Sequence, residues 1–227
     1  MIARTTTDEV LRMKYKMSPE EYFKKIIELY RNSREPKFYN PNIHRGRSSS
    51  ISSELEDLTA LFLALNNPNQ CSYFTDQPMK FEGSSTKYPD IVIQNTDGLI
   101  KDLVDVKTDI GWDRDGLYAF CQEWEKRIRA VKGKKTEFKH GKNKTKVQGK
   151  FSENLKYHVV VVSEKNSGSK IESDHRNVMT KLRHVCLYVL SKGEHPNNYK
   201  YDGEELLERI EINNNEFQRL VSHIRLK

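Results

Sequence analysis

Apolar residues recur at helical spacing in Tyr22, Phe23, Ile26, Ile27 and Tyr30, directly after Ser18-Pro19-Glu20-Glu21. Ser18 can cap a helix, Pro19 suits its first position and Glu21 completes a capping box, so a helix is expected from 19 to near Arg34, ahead of Pro36 and Pro41. A second stripe, Ile51, Leu55, Leu58, Phe62 and Leu65, predicts a helix from about Ile51 to Asn66. At about 100° per residue Glu54 falls within that stripe and Glu56 on the opposite side. A carboxylate on an apolar face requires a partner.

From Cys71 the period changes from 3.6 to 2. Short strands are expected at Cys71 to Phe74 and Met79 to Phe81, then a hairpin of Asp90 to Gln94 and Leu99 to Ile110 around the turn Asn95-Thr96-Asp97-Gly98. Leu117 to Val131 has helical periodicity. Tyr157 to Val162 is a β-branched run of the kind found in a strand covered on both faces. A helix is expected from about Asp174 to Leu190, with Val178, Leu182, Val185 and Val189 inward, and two short helices from Glu204 to Arg225 broken at Asn213-Asn214-Asn215. No internal repeat occurs. The order predicts an α/β fold, a mixed central sheet flanked by helices with helical N- and C-terminal additions.

Charge changes this picture at one place. The 227 residues carry a net +7, and the segment from Lys132 to Lys150, with eight lysines and the single acid Glu137, accounts for all of it. Its glycines and lysines predict a flexible, solvated loop that can order on a polyanion. The serine-rich stretch around Arg45-Gly46-Arg47 is a smaller basic loop. No run of about 18 apolar residues exists, which removes a membrane-spanning helix. The N-terminus lacks the apolar core of a secretory signal, so a cytoplasmic location is expected. Three cysteines without CxxC spacing predict buried thiols rather than a zinc ribbon. A phosphate-binding GxxxxGK[ST] loop is absent from the sequence, so no nucleotide cofactor is expected.

The chemistry centres on acids in the electrically balanced remainder. Tyr88-Pro89-Asp90 is followed fifteen residues later by Asp105-Val106-Lys107. Asp105 and Lys107 share one face of a strand, and the neighbouring strand can bring Asp90 alongside. Two adjacent carboxylates repel unless a divalent cation neutralises them, and oxygen-only sites with open positions suit Mg2+. The bland alternative is an exposed cross-strand salt bridge of little consequence.

Asp90 with Asp105-Val106-Lys107, preceded by a helical glutamate, resembles the PD-(D/E)XK nuclease superfamily, most closely type II restriction endonucleases of the EcoRV kind. The resemblance covers roughly half the chain, from about Ser50 to Ser163. It implies a restriction-endonuclease-like core, Asp90 and Asp105 as Mg2+ ligands, Lys107 as the catalytic lysine and Glu54 as the helix carboxylate. Three regions are expected: a helical N-terminal extension and basic loop over 1–47, the nuclease core over 48–165, and a C-terminal helical part over 166–227. Double-stranded DNA is the expected partner, contacted by Arg45, Arg47, Lys134, Lys135, Lys139, Lys142, Asn143, Lys144 and Lys146. Because both strands must be cut, a homodimer is expected. The alternatives are a structure-specific or repair nuclease of the same superfamily, or a non-catalytic DNA-binding protein.

Overall fold

The computed structural model describes residues 16–38, 40–81, 86–111, 116–139, 141 and 144–225. The fold is α/β, with a mixed, curled central sheet and six helices among the described residues. Helices α1 (Pro19–Asn32) and α2 (Ser52–Asn66) come first. The capping box forms as expected: Oγ of Ser18 accepts from the Glu21 N–H at 3.1 Å, and the Ser18 N–H donates to Glu21 Oε2 at 2.7 Å.

Strand β1 (Cys71–Thr75) pairs antiparallel with β4 (Ile91–Asn95), and β2 (Met79–Lys80) with β3 (Thr86–Lys87) forms a small separate ribbon. The expected hairpin joins β4 to β5 (Leu99–Lys107), with Gly98 at φ +78 supplying the left-handed backbone of its turn. Helix α3 (Leu117–Val131) then crosses one face, and the chain returns as β6 (Lys135–Lys139) and β7 (Lys146–Val161). β7 runs parallel to β5, and α4 (Ile171–Lys181) leads to β8 (Val185–Val189), parallel to β7. The chain ends with β9 (Ser191–Gly193), α5 (Gly203–Arg209), β10 (Ile210–Ile212) and α6 (Asn214–Arg225).

Two apolar layers sandwich the sheet. Val104, Val160 and Tyr188 face α1, α2, α5 and α6, so the N- and C-terminal helices share one layer with the central strands. Leu103, Val159, Val161 and Leu187 face α3 and α4. Val159, Val160 and Val161 are fully buried, as the unbroken β-branched run predicts. At about 1.5–3 kcal/mol per buried aliphatic side chain, these layers outweigh any surface ion pair in holding the strands in register.

Three expected elements differ. The helix expected over Asp174 to Leu190 ends at Lys181, and Val185 to Val189 is a central strand. Val178, Leu182, Val185 and Val189 fit a helical stripe, but Val185-Cys186-Leu187-Tyr188-Val189 is also a continuous apolar run, and pairing beside β7 buries both of its faces. The lysine segment is not a loop: it forms β6, a turn, and the first rungs of β7. Near the chain end, the break between α5 and α6 carries β10, which pairs with β9.

A buried polar chain threads the strands. Asp102 Oδ1 meets His158 Nε2 at 2.9 Å, His158 Nδ1 meets the Tyr188 hydroxyl at 2.9 Å, and that hydroxyl meets His223 Nδ1 at 2.8 Å. One hydroxyl hydrogen serves only one imidazole nitrogen, so the other ring must present an N–H to Tyr188. His158 is therefore a core residue, as its place in the apolar run suggests. Trp124 is also a packing residue, stacked on Tyr157 at 3.9 Å between ring centres. Cys121 is buried and Cys71 and Cys186 half-buried, all three as free thiols.

Candidate active site

β4 begins where β5 ends, so their antiparallel pairing brings Asp90 to the strand end that carries Asp105 and Lys107. The register sets Ile91 opposite Val104. The Val106 N–H donates to Asp90 Oδ2 at 2.6 Å, so one half of the motif is tied directly to the backbone of the other. Alternation turns Asp105 and Lys107 to the α3 side while Val106 packs on the opposite layer. There Lys107 Nζ pairs with Asp105 Oδ2 at 2.9 Å and lies 5.5 Å from the centre of the Phe120 ring. Asp105 is 6% exposed, whereas the Lys107 side chain is 40% exposed. The buried acid thus holds a lysine whose ammonium still reaches solvent.

The acid of α2 that feels the charges of Asp105 and Lys107 is Glu56 rather than the expected Glu54. Glu54 is exposed, accepts from Ser53 Oγ at 2.9 Å, and its carboxyl is held below the ordinary value by its own backbone N–H and by Ser53. Glu56 has the buried Thr59, Ala60 and Leu63 three, four and seven residues on, whereas Asp57 and Leu61, at the corresponding three- and seven-residue steps from Glu54, are exposed. The covered face of α2 is therefore rotated toward Glu56 relative to the stripe expected from Ile51, Leu55 and Leu58. The signal in the sequence was the run Thr59-Ala60, small residues on the covered side, where the Thr59 hydroxyl meets the Tyr22 hydroxyl of α1 at 2.7 Å.

Glu56 is pushed up to about 7, first by burial and then by the charges of Asp76, Asp57 and Asp105. Asp90 is likewise pushed up to about 7, by burial first and then by Asp105, with Glu56 adding to it; the Val106 N–H and Lys107 act in the other direction. Asp76, not anticipated from sequence, holds φ at 45 and donates its N–H to the Asp90 carbonyl at 2.9 Å, joining the end of β1 to the start of β4. Tyr157 is the other residue sequence reading missed. Its phenol is raised well above its ordinary value by burial and by the negative charges of Asp105 and Asp90. The β-branched run marked Tyr157 as core, and nothing in its local pattern linked it to Asp105.

Among the described residues, no three His, Cys, Asp or Glu side chains form a ready-made metal cage. The carboxylates do have the chemistry for a hydrated ion. Mg2+ keeps several waters and takes one or two carboxylates together with substrate phosphates. Asp90, raised by burial and then by the charges of Asp105 and Glu56, marks a cluster of acids that a divalent cation would relieve.

β5 ends at Lys107, so Asp109 lies beyond the strand and does not share its face. It accepts from the Gly111 N–H at 2.9 Å and from Asn166 Nδ2 at 3.2 Å, and lies 3.4 Å from His195 Nε2. These contacts, His195 foremost, lower its carboxyl to about 2.

Arg45 and Arg47 lie on the exposed connector between α1 and α2. Lys135, Lys139 and Lys146 are exposed on the β6–β7 ribbon; Lys134 precedes it and Lys144, at φ 57, lies in its turn. Lys142 and Asn143 lie outside the described residues, as does Trp112. No protein-family model, curated protein or solved structure matches the chain.

Proposed function

We propose that this protein is a Mg2+-dependent DNA endonuclease that hydrolyses phosphodiester bonds of double-stranded DNA at a specific sequence, as the type II restriction enzymes of the PD-(D/E)XK superfamily do. The observation that carries the reading is the convergence of Asp90, Asp105 and Lys107 at one strand end, with Asp90 bonded to Val106 between the other two. A solvated cross-strand salt bridge needs neither the burial of Asp105 nor a second carboxylate at its side.

Asp90 and Asp105 would hold the ion, with Glu56 supporting it directly or through water. When bound, Mg2+ supplies charge stabilisation at the phosphate and lowers the pKa of an attacking water. Lys107 is a donor only, and its pairing with Asp105 keeps the ammonium where it can orient that water or neutralise a phosphoryl oxygen. Phe120 and the stacked Trp124 and Tyr157 wall this side of the site, excluding water from behind Asp105. One such site per chain calls for two copies acting on the two strands of a duplex, hence a homodimer on a two-fold target.

The test is incubation of supercoiled plasmid with the protein and Mg2+. Discrete fragments support the restriction reading. A smear, or cutting confined to branched DNA, supports a structure-directed nuclease with the same chemistry. Intact plasmid under all divalent cations removes the catalytic reading.

A further inference from the structure

We infer that the β6–β7 ribbon is a major-groove reading element, with its lysine rungs on the phosphates and the central Glu137–Gln148 rung against the base edges. This deepens the nuclease reading and rests on it for the identity of the polyanion.

Three cross-strand pairs occupy the outer face: Lys135 with Lys150, Glu137 with Gln148, and Lys139 with Lys146. All six residues are exposed. The inner face is committed to the protein, since Thr136 and Phe138 are buried and Phe138 packs edge-on against Phe74 at 5.0 Å between centres. The ribbon is thus a fixed ledge with one available side, not a tether.

The pairing on that side is wrong for stability alone. Like charges directly opposite one another destabilise an antiparallel pair, and two of the three outer rungs set lysine against lysine. Glu137 relieves one of them, reaching Lys146 Nζ at 3.1 Å while accepting from Gln148 Nε2 at 2.6 Å. A local rule broken twice and relieved once within the ribbon points to a ligand that supplies the remaining compensation, here a polyanion.

The shape selects among polyanions. A two-stranded ribbon fits the B-DNA major groove, about 12 Å wide, whereas the major groove of A-form RNA is too deep and narrow to admit it. Same-face rungs lie ~6.8 Å apart, so the lysine rungs flank the central one by about two base-pair steps on either side. The central rung carries an amide and a carboxylate. Glutamine pairs with the major-groove edge of adenine, and glutamate accepts from cytosine N4.

The experiment uses the full chain, an oligonucleotide duplex and EDTA to prevent cleavage. Replacing the four rung lysines by glutamine (Lys135→Gln, Lys139→Gln, Lys146→Gln, Lys150→Gln) is expected to reduce the slope of log affinity against log salt by about 3–4. Protection of guanine N7 from dimethyl sulfate, a major-groove readout, is expected in the wild-type complex and lost in the variant. Gln148→Ala alone, which leaves the charge and the ribbon intact, is expected to keep the salt slope and shift the protected bases.

An unchanged slope in the quadruple variant, absence of N7 protection in the wild type, or equal competition by duplex RNA overturns the inference. The two readings separate cleanly. Wild-type cleavage of plasmid with a ribbon-independent salt slope removes the ribbon and leaves the nuclease. A ribbon-dependent slope in a protein that never cuts removes the nuclease and leaves the ribbon.

Discussion

The Val106 backbone N–H donates to the Asp90 carboxylate across 2.6 Å, so the acid that opens β4 is anchored to the residue between Asp105 and Lys107. The donor is main chain, so no substitution at 106 other than proline removes it. It holds Asp90 beside Asp105 in spite of their mutual repulsion.

Burial of Asp90, and after it that repulsion, has a cost in stability. Asp90→Asn keeps an oxygen to accept from Val106 and removes the charge, so the variant is expected to melt about 2–6 °C above the wild type near neutral pH while losing cleavage. Because the folded-state pKa of Asp90 is raised to about 7, the wild type loses stability as pH rises from ~4 toward 7. The advantage of the variant is therefore expected to be absent below about pH 4 and complete above about pH 7. Thermal melts across that range, without divalent cations, measure it.

Mg2+ should reverse this destabilisation. Millimolar Mg2+ is expected to raise the wild-type melting temperature, by mass action on the folded state, and to leave an Asp90→Asn, Asp105→Asn double variant unmoved. An equal rise in both would place the ion elsewhere.

The two glutamates of α2 provide an internal control. Glu56→Gln is expected to lower the cleavage rate by about 100-fold, whereas Glu54→Gln, at an exposed position, is expected to leave it within about 2-fold. Single-turnover kinetics at saturating enzyme separates this from a loss of DNA affinity.

How far the sequence reveals this arrangement depends on how strongly each pattern is constrained. The β4–β5 hairpin is legible because an Asn-Thr-Asp-Gly turn separates two short runs rich in Ile, Val and Leu, and it brings Asp90 to Asp105 and Lys107 without further information. Glu56 is less legible because Glu54 and Glu56 flank the buried stripe of α2 from opposite sides, and which is covered depends on the sheet beneath. β8 is hidden because its apolar residues continue the stripe of α4. The ribbon is hidden by its charge: Thr136, Phe138, Val147 and Gly149 alternate with lysines and polar residues in strand fashion, but so many exposed positions outweigh the few that are covered.

The buried Asp102–His158 pair belongs to the fold rather than to the site. His158→Ala strips Asp102 and Tyr188 of a partner in the core and is expected to cost about 3–5 kcal/mol, read by chemical denaturation. Cleavage per folded molecule is expected to be retained at low temperature.

In the first turn of α6, Glu216 accepts from Arg219 and the Val189 N–H and meets His175 Nε2 at 3.2 Å. Burial alone would raise its carboxyl, but His175 and Arg219 outweigh burial and lower it to about 2. The stabilisation is therefore present above the unfolded-state value of ~4.3 and lost as pH falls toward about 2. Wild type and Glu216→Gln are expected to differ in unfolding free energy at pH 6 and to converge near pH 2.

The most direct measurement is cleavage of plasmid DNA by the wild type, Asp105→Ala and Lys107→Ala, each with Mg2+ and with EDTA, after melting curves have shown all three folded. Cutting by the wild type in Mg2+ alone, with both variants reduced by about 1,000-fold or more, is the expected result. Cutting by the variants at the wild-type rate, or by the wild type in EDTA, contradicts the assignment of Asp105 and Lys107 to a Mg2+-dependent site.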